Sequence, residues 1–228
     1  MGTFRTGLIV ASALMASIGS AAAVSFTPYQ ISPADTVNQF WPGSIGQDFN
    51  VNSTITITSF GAWQPNGITP QQPLTVSIYD RLTQLVVYSQ TFTNASPGTP
   101  GASNVGFIAA NDVLGPGSYS LVGDGFSVVP VGLFNTQGTG LAGTLDNGGG
   151  ALTFGGWRFD NSANVYPTIT FANSNCCGGD SEFRFAAATF TASTPLPSTW
   201  IMMLTGFVGL GFFAYRSSKK ASAAIAAA

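Results

Sequence analysis

The stretch Thr-Ile-Thr-Ile-Thr, residues 54–58, alternates polar and apolar β-branched residues at every position. Successive side chains of a strand point to opposite faces, so this alternation predicts a strand with one buried and one solvated face. The same period of two recurs in Leu-Thr-Val-Ser-Ile-Tyr, residues 74–79, and in Phe-Arg-Phe, residues 183–185. Together these stretches predict an antiparallel sheet.

Further strands are predicted along most of the chain, at residues 85–92, 104–109, 118–122, 127–133, 151–154 and 168–171, with a last strand reaching residue 191. Turn-forming clusters such as Asn66-Gly67 and Gly115-Pro116-Gly117 lie between them. Many short strands with regular breaks and no helical periodicity indicate an all-β domain. We expect an antiparallel, jelly-roll-like β-sandwich over residues 24–193.

Charge is scarce and unevenly distributed along this chain. Only 7% of the 228 residues are charged. Between residues 24 and 193 the basic residues are Arg81, Arg158 and Arg184, against nine carboxylates, which gives this segment a net charge of −6. Nucleic acid is therefore not expected as a partner, because phosphate binding needs a clustered basic face.

The N-terminus has the order of a secretory signal peptide. Arg5 precedes an apolar stretch over residues 7–17, and the small residues of Ser-Ala-Ala-Ala follow at 20–23. Ala21 and Ala23 fit the A-x-A pattern, so we expect residues 1–23 to be removed by cleavage after Ala23. The mature chain would then begin outside the cytoplasm.

The C-terminal region contains the one long apolar run, residues 200–215, which has sixteen residues and no charge. As a helix it would span about 24 Å, somewhat less than the roughly 30 Å hydrocarbon core of a bilayer. Trp200 and Tyr215 suit the two interfaces, and Arg216, Lys219 and Lys220 suit the cytoplasmic side. We expect a single transmembrane helix, followed by an Ala-rich cytoplasmic tail at 221–228.

The residues around this run resemble a known sorting signal. Pro195, Leu196, Pro197, Ser198, Thr199 and Trp200 precede a Gly-rich segment, which Arg216 follows. This arrangement, over residues 194–220, is similar to the PEP-CTERM signal of bacteria that make exopolysaccharide. The resemblance implies a partner, an exosortase-like membrane enzyme that cuts near the two prolines and passes the protein to the cell surface or the extracellular matrix.

One position departs from the family pattern. Leu196 stands where the family has Glu, so the motif here is Pro-Leu-Pro. Two outcomes follow for the tail: processing by the exosortase-like enzyme, or retention as a permanent single-pass membrane anchor. In either case we expect an inner-membrane-anchored precursor.

The residue types leave little room for catalysis. The chain has no His, and no Lys between residues 24 and 193, which excludes Ser-His-Asp, Cys-His and His-based zinc sites. A carboxylate pair of glycoside-hydrolase type remains open, with Asp160, Asp180 and Glu182 as its candidates. Asp112, Asp124 and Asp146 could ligate calcium, but no loop has the spacing of a calcium motif. We expect a non-enzymatic protein with no cofactor and no catalytic or metal site.

Cys176 and Cys177 are adjacent in the sequence. Their Cα atoms lie about 3.8 Å apart, below the usual disulfide range of roughly 4.4 to 6.8 Å, so a bond between them would be strained. Three states stay open: a vicinal disulfide, bonds to a second molecule, and two free thiols.

Four aromatic residues could form a sugar-stacking surface or pack in the core: Trp41, Trp63, Tyr79 and Trp157. The expected function is that of a surface or matrix protein, with exopolysaccharide as a possible ligand. The alternatives are a carbohydrate-binding module and a carboxylate-based hydrolase.

Overall fold

A computed structural model gives the fold for part of the chain. It describes residues 23–30, 41–64, 70, 72–101, 104–126, 136–137, 143–170, 185–195, 203–213 and 215–216. The residues of the predicted signal peptide before Ala23, the cysteine pair and the predicted strand at 127–133 lie outside these residues. So do residues 196–200 of the predicted sorting motif and the tail at 221–228.

The described residues form fifteen strands. Eight of them have seven or more residues, and the first seven in chain order are β3 (Ile45–Val51), β4 (Ile55–Trp63), β5 (Leu74–Asp80), β6 (Val86–Phe92), β8 (Val105–Leu114), β9 (Gly117–Asp124) and β12 (Leu152–Phe159). An eighth long strand, β15 (Ala188–Thr194), closes the series. The short strands are β1 (Val24–Phe26), β2 (Tyr29–Gln30), β7 (Thr99–Pro100), β10 (Thr136–Gln137), β11 (Thr144–Leu145), β13 (Ile169–Thr170) and β14 (Phe185–Ala186).

These strands form two large sheets and two small ones. The five-stranded sheet has the order β1-β15-β4-β8-β7, and the six-stranded sheet has the order β13-β12-β3-β9-β5-β6. The pairs β10-β14 and β11-β2 form the small sheets. Every pairing among them is antiparallel. The prediction of an antiparallel all-β domain is confirmed for the part of the chain that the structure describes.

The two large sheets share one hydrophobic core. The ring of Phe49 on β3 lies 5.7 Å from that of Phe190 on β15, across the two sheets. Tyr29 contacts the same cluster, with its ring 5.3 Å from that of Phe154 and 6.4 Å from that of Trp157. Large aromatic side chains at these spacings account for much of the apolar area that the core removes from water.

A β-bulge in β12 keeps its aromatic residues in that core. The register with β3 shifts between Phe154 and Trp157, at Gly155-Gly156. Without the bulge, two side chains three positions apart would point to opposite faces of the sheet. With it, Phe154 lies opposite Phe49 and Trp157 lies opposite Gln47. The bulge therefore lets both aromatic rings contact Tyr29.

The chain divides into two compact units, of which Val24–Thr194 contains all of the described strands. In the other unit, residues 203–213 form a helix, and residues 215 and 216 are also helical. This helix covers part of the predicted transmembrane segment at 200–215. Within the described residues, no helix reaches the length and apolar content that spanning a bilayer requires.

Candidate functional site

The outer face of the six-stranded sheet, which points away from the core, carries two buried carboxylates. On β3 the side chain of Phe49 enters the core, so its neighbour Asp48 faces outward by the alternation of the strand. On β9 the same alternation puts Leu121 in the core and Ser120 and Asp124 on the outer face. Burying carboxylates is costly unless they are paired or hydrogen-bonded, so their partners define the site.

Asp48 lies at the centre of a charged cluster. The Arg158 Nε–H donates to both carboxylate oxygens at 2.7 Å, and an Arg81 guanidinium nitrogen lies 3.1 Å from Oδ2. The hydroxyl of Ser120, directly opposite Asp48 in the register, also donates to Oδ1. The Asp48 side chain is 5% exposed, whereas that of Arg81 is 31% exposed. The cluster therefore has one nearly enclosed anion and one cation that reaches solvent.

A loop over residues 160–168 covers the cluster. Tyr166 on this loop places its ring 5.3 Å from the Arg158 guanidinium carbon, a cation–π contact, and 5.8 Å from the ring of Tyr79. Tyr79, Val122 and Tyr166 form a small buried cluster of their own on this outer face. On the outer face of β3, Asp48 is buried by its own partners, and Tyr166 packs against one of them, Arg158.

Asp124, the last residue of β9, is the second buried carboxylate, and it binds the loop at residues 160–168. Its Oδ1 accepts hydrogen bonds from the Ser44 hydroxyl and, at 2.8 Å, from the backbone N–H of Asn164. Asn164 has a φ of 57°, the left-handed conformation that Asn tolerates well. Burial raises the pKa of Asp124, although these hydrogen bonds act in the opposite direction. Burial and the nearby charge of Asp124 raise the pKa of Tyr79 to about 12.

The two buried carboxylates belong to well-separated backbone positions. Asp48 lies opposite Ser120, and Asp124 follows four residues further along the same strand. At the rise of a strand this separates them by about 13 Å along β9. The pairs of retaining and inverting glycosidases lie roughly 5 to 9.5 Å apart.

The hydrolase candidate Asp160 accepts hydrogen bonds from residues of its own loop. Its carboxylate accepts the backbone N–H of Ser162 and the hydroxyl of Thr168, both at 3.0 Å. These bonds lower the pKa of Asp160, with the bond from Ser162 contributing most. Its proposed companions Asp180 and Glu182 lie outside the described residues. Asp160 thus closes the loop that covers the cluster.

The calcium candidates lie in separate surroundings. Asp146 accepts the backbone N–H of Gly148 in a turn, Asp112 lies on β8 opposite Ile57, and Asp124 is on β9. Within the part of the chain that the structure describes, no three Asp, Glu, Cys or His residues come together as a metal site.

The aromatic residues considered for sugar stacking lie mostly in the interior. Trp63, Trp157 and Tyr79 are all buried. Trp41 is half-buried, with its ring 5.7 Å from that of Phe159 and its indole N–H donating to the Asp160 carbonyl at 2.9 Å. These four residues form no exposed stacking surface. The core-packing alternative is the one that the geometry supports.

A small cavity lies between the two sheets, with about 10 Å³ of space for a water centre. Gln47 and Tyr29 both line it. Neither atom of the Gln47 side-chain amide, nor the Tyr29 hydroxyl, has a hydrogen-bond partner among the described residues. Burial raises the pKa of Tyr29 well above its usual value. A space of this size can hold at most a water molecule, not a substrate.

The predicted processing residues flank the strand domain. Ala23 directly precedes β1, and Pro195 directly follows β15. Arg216 lies at the end of the described helical residues and is exposed. The remaining sorting-motif residues, Ala21, Cys176 and Cys177 lie outside the described residues.

Sequence reasoning missed the Asp48 cluster. One signal was available: Arg81 and Arg158 are two of only three cations between residues 24 and 193, and both bind the same carboxylate. Comparison with protein-family models, curated proteins and solved structures finds no match for this chain.

Proposed function

We propose that this chain is an exported bacterial surface or extracellular-matrix protein without catalytic activity. Its tail would be sorted by an exosortase-like enzyme, as the resemblance to PEP-CTERM signals implies. The domain Val24–Thr194 would be the part that remains at the surface.

One observation carries this proposal: the limits of the compact unit coincide with the two predicted processing sites. β1 begins at Val24, directly after the predicted signal cleavage, and β15 ends at Thr194, directly before the first proline of the motif. Removal of both ends therefore takes no residue from either strand. A domain whose termini are removed during export keeps its strands intact only if both cuts fall outside them.

The strand order supports a jelly-roll interpretation of the domain. Four strands of one sheet follow the order β1-β15-β4-β8, and four of the other follow β3-β9-β5-β6. These orders correspond to the two sheets of an eight-stranded jelly roll, with β12 added beside β3. Jelly rolls serve many functions, so the fold alone favours none of them.

Several features favour a structural role over catalysis. Both buried carboxylates on the outer face have partners that belong to the fold, and they lie about 13 Å apart along β9. The cavity between the sheets has no room for a substrate. Asp80, Asp146 and Asp160 bind backbone N–H groups of their own turns.

The intact mass of the protein recovered from the surface of producing cells tests the proposal. We expect a chain that begins at Val24 and ends near Pro197. A mass that includes residues 1–23 would contradict export. A mass that lacks only residues 1–23 would show a permanent anchor in place of sorting.

A variant at position 196 tests how the sorting enzyme recognises this chain. Because the family has Glu at the position of Leu196, a Leu196→Glu chain should be processed faster than the parent. Pulse labelling of the two precursors measures this rate. Equal rates would mean that the side chain at this position does not affect recognition.

A carbohydrate-binding module is the second candidate, favoured by the hydroxyl-rich outer face around Arg81. On that face Ser77 pairs with Ser89 at 3.0 Å and Thr75 with Thr91 at 3.4 Å. Incubation of residues 24–193 with the polysaccharide of the producing cell separates the candidates. Retention of intact glycan supports binding, shortened glycan supports a hydrolase, and neither result supports the structural role.

A further inference from the structure

Strand β6 forms the outer edge of the six-stranded sheet. One side of β6 pairs with β5, and no described strand pairs with the other. Its sequence, Val-Val-Tyr-Ser-Gln-Thr-Phe, contains no charge, no Pro and no Gly. Natural edge strands usually carry such residues because they prevent pairing with another chain. β6 therefore presents a row of backbone donors and acceptors that is interrupted only where Val87 forms a bulge against β5.

The other described edges of the two large sheets are much shorter. β13 and β7 have two residues each, and β7 includes Pro100, which has no N–H to donate. β1 has three residues. β6, with seven residues, is thus the longest described strand that ends one of these sheets. Residues 108–114 of β8 also extend past β7, but that stretch carries the charge of Asp112.

The turn before β6 and the first residue of the strand, Val86, add exposed apolar side chains. Leu82 is 91% exposed, Leu85 67% and Val86 50%. The carboxylate of Asp80 accepts the backbone N–H groups of Leu82 at 2.9 Å and Thr83 at 2.8 Å, which fixes the turn. These apolar side chains are therefore held in solvent by an ordered turn, a combination typical of contact surfaces.

We propose that β6 pairs antiparallel with β6 of a second copy of this chain, about a two-fold axis at Ser89. In this register Val87 lies opposite Thr91 of the other copy, and Tyr88 lies opposite Gln90. Such a contact is self-complementary, as closed dimers require, and it joins two six-stranded sheets into one.

The absence of charge on β6 permits a second copy at this edge. Residues 24–193 carry a net charge of −6, so most surfaces of two copies repel each other. β6 carries no charge, and no like charges meet when it pairs with itself. A contact made by one strand of each copy buries less area than a standard interface, so we expect a reversible dimer. This inference does not depend on the proposed export or sorting.

Charge-reversal variants of the full chain, purified in detergent, test the pairing by sedimentation over a wide concentration range. Ser89→Lys places two cations opposite each other on the axis, and Ser89→Glu places two anions there. Each variant alone should self-associate at least tenfold more weakly than the parent. An equimolar mixture should regain the dimer, because Lys then lies opposite Glu.

Thr99→Lys is the matched control, since Thr99 is an exposed residue on the β7 edge of the other sheet. It should dimerise as the parent does. A parent that stays monomeric at all concentrations overturns the proposal. So does a Ser89→Lys variant that associates as strongly as the parent, because the contact then lies elsewhere. A mixture that fails to recover the dimer overturns this register.

Discussion

Val24 lies opposite Thr194 in the register of β1 and β15. The first residue of the domain and the last residue of its final strand are therefore neighbours, although 169 residues lie between them in the sequence. Signal cleavage and tail processing would both act next to this strand pair. Its stability then decides whether the domain keeps its fold when the two ends are removed.

The residue that fixes β1 is Phe26, which is buried and lies opposite Ala192. Phe26→Ala should lower the free energy of unfolding of residues 24–194 by about 3 kcal/mol, since it opens a cavity in the core. Val24→Ala, at an exposed position, should cost less than about 0.5 kcal/mol. Urea denaturation measures both. Equal effects would mean that β1 does not contribute to the core.

The two arginines of the outer-face cluster should differ in their contribution to stability. Arg158 is nearly enclosed with Asp48, and Arg158→Met leaves that carboxylate without its main partner. We expect a loss of about 3 kcal/mol, as for other broken buried pairs. Arg81 is partly exposed, so Arg81→Met should cost about 1 kcal/mol or less. Similar losses in urea denaturation would contradict the assigned roles.

The predictable part of the fold is where alternation is unbroken. The pattern at 74–79 coincides with β5, Leu74–Asp80. In β4 the alternation ends at Thr58, yet the strand continues to Trp63. A shift in register between Ile57 and Ser59 reverses which positions face the core, so Ile57 and Phe60 are both buried. Because a bulge of this kind interrupts the alternation, a search for a period of two does not detect the rest of the strand.

The scarcity of cations marks Arg81 and Arg158, but their shared partner could not be predicted, because the contacts of the site are long-range. Asp48 and Arg158 are 110 residues apart, and the loop that buries them follows β12. Nothing local to β3 indicates that its outer face is covered. β1 has only three residues, and its partner lies at the far end of the domain, so no local pattern marks it either.

Asp124 predicts a specific dependence of stability on pH. Its pKa is raised in the folded state by burial, so the folded protein favours the protonated form. Stability from this group is present below the unfolded pKa and is lost as pH rises through the folded pKa. Asp124→Asn removes the effect and keeps an oxygen for Ser44 and Asn164. Its unfolding free energy, relative to the parent, should increase as pH rises from acid toward neutral.

Asp160 is the control for this measurement, since its pKa is lowered by hydrogen bonds from Ser162 and Thr168. Stability from Asp160 is present above the unfolded pKa and is lost as pH falls through the folded pKa. The difference between Asp160→Asn and the parent should therefore have the opposite dependence on pH. If both variants shift in the same direction, the burial of Asp124 does not control its titration.

Gln47 should destabilise the folded state, because its buried amide has no hydrogen-bond partner among the described residues. Gln47→Met keeps the length of the side chain and removes both polar atoms, so we expect a gain of about 1 kcal/mol. Gln64→Met is the matched control: Gln64 is also buried, but its Nε2–H donates to the Pro97 carbonyl at 2.5 Å. Loss of that bond should cost about 1 kcal/mol. Thermal and urea unfolding measure the change in stability of each variant, a gain for Gln47→Met and a loss for Gln64→Met. A loss of stability in Gln47→Met would show that the Gln47 amide is hydrogen-bonded in solution.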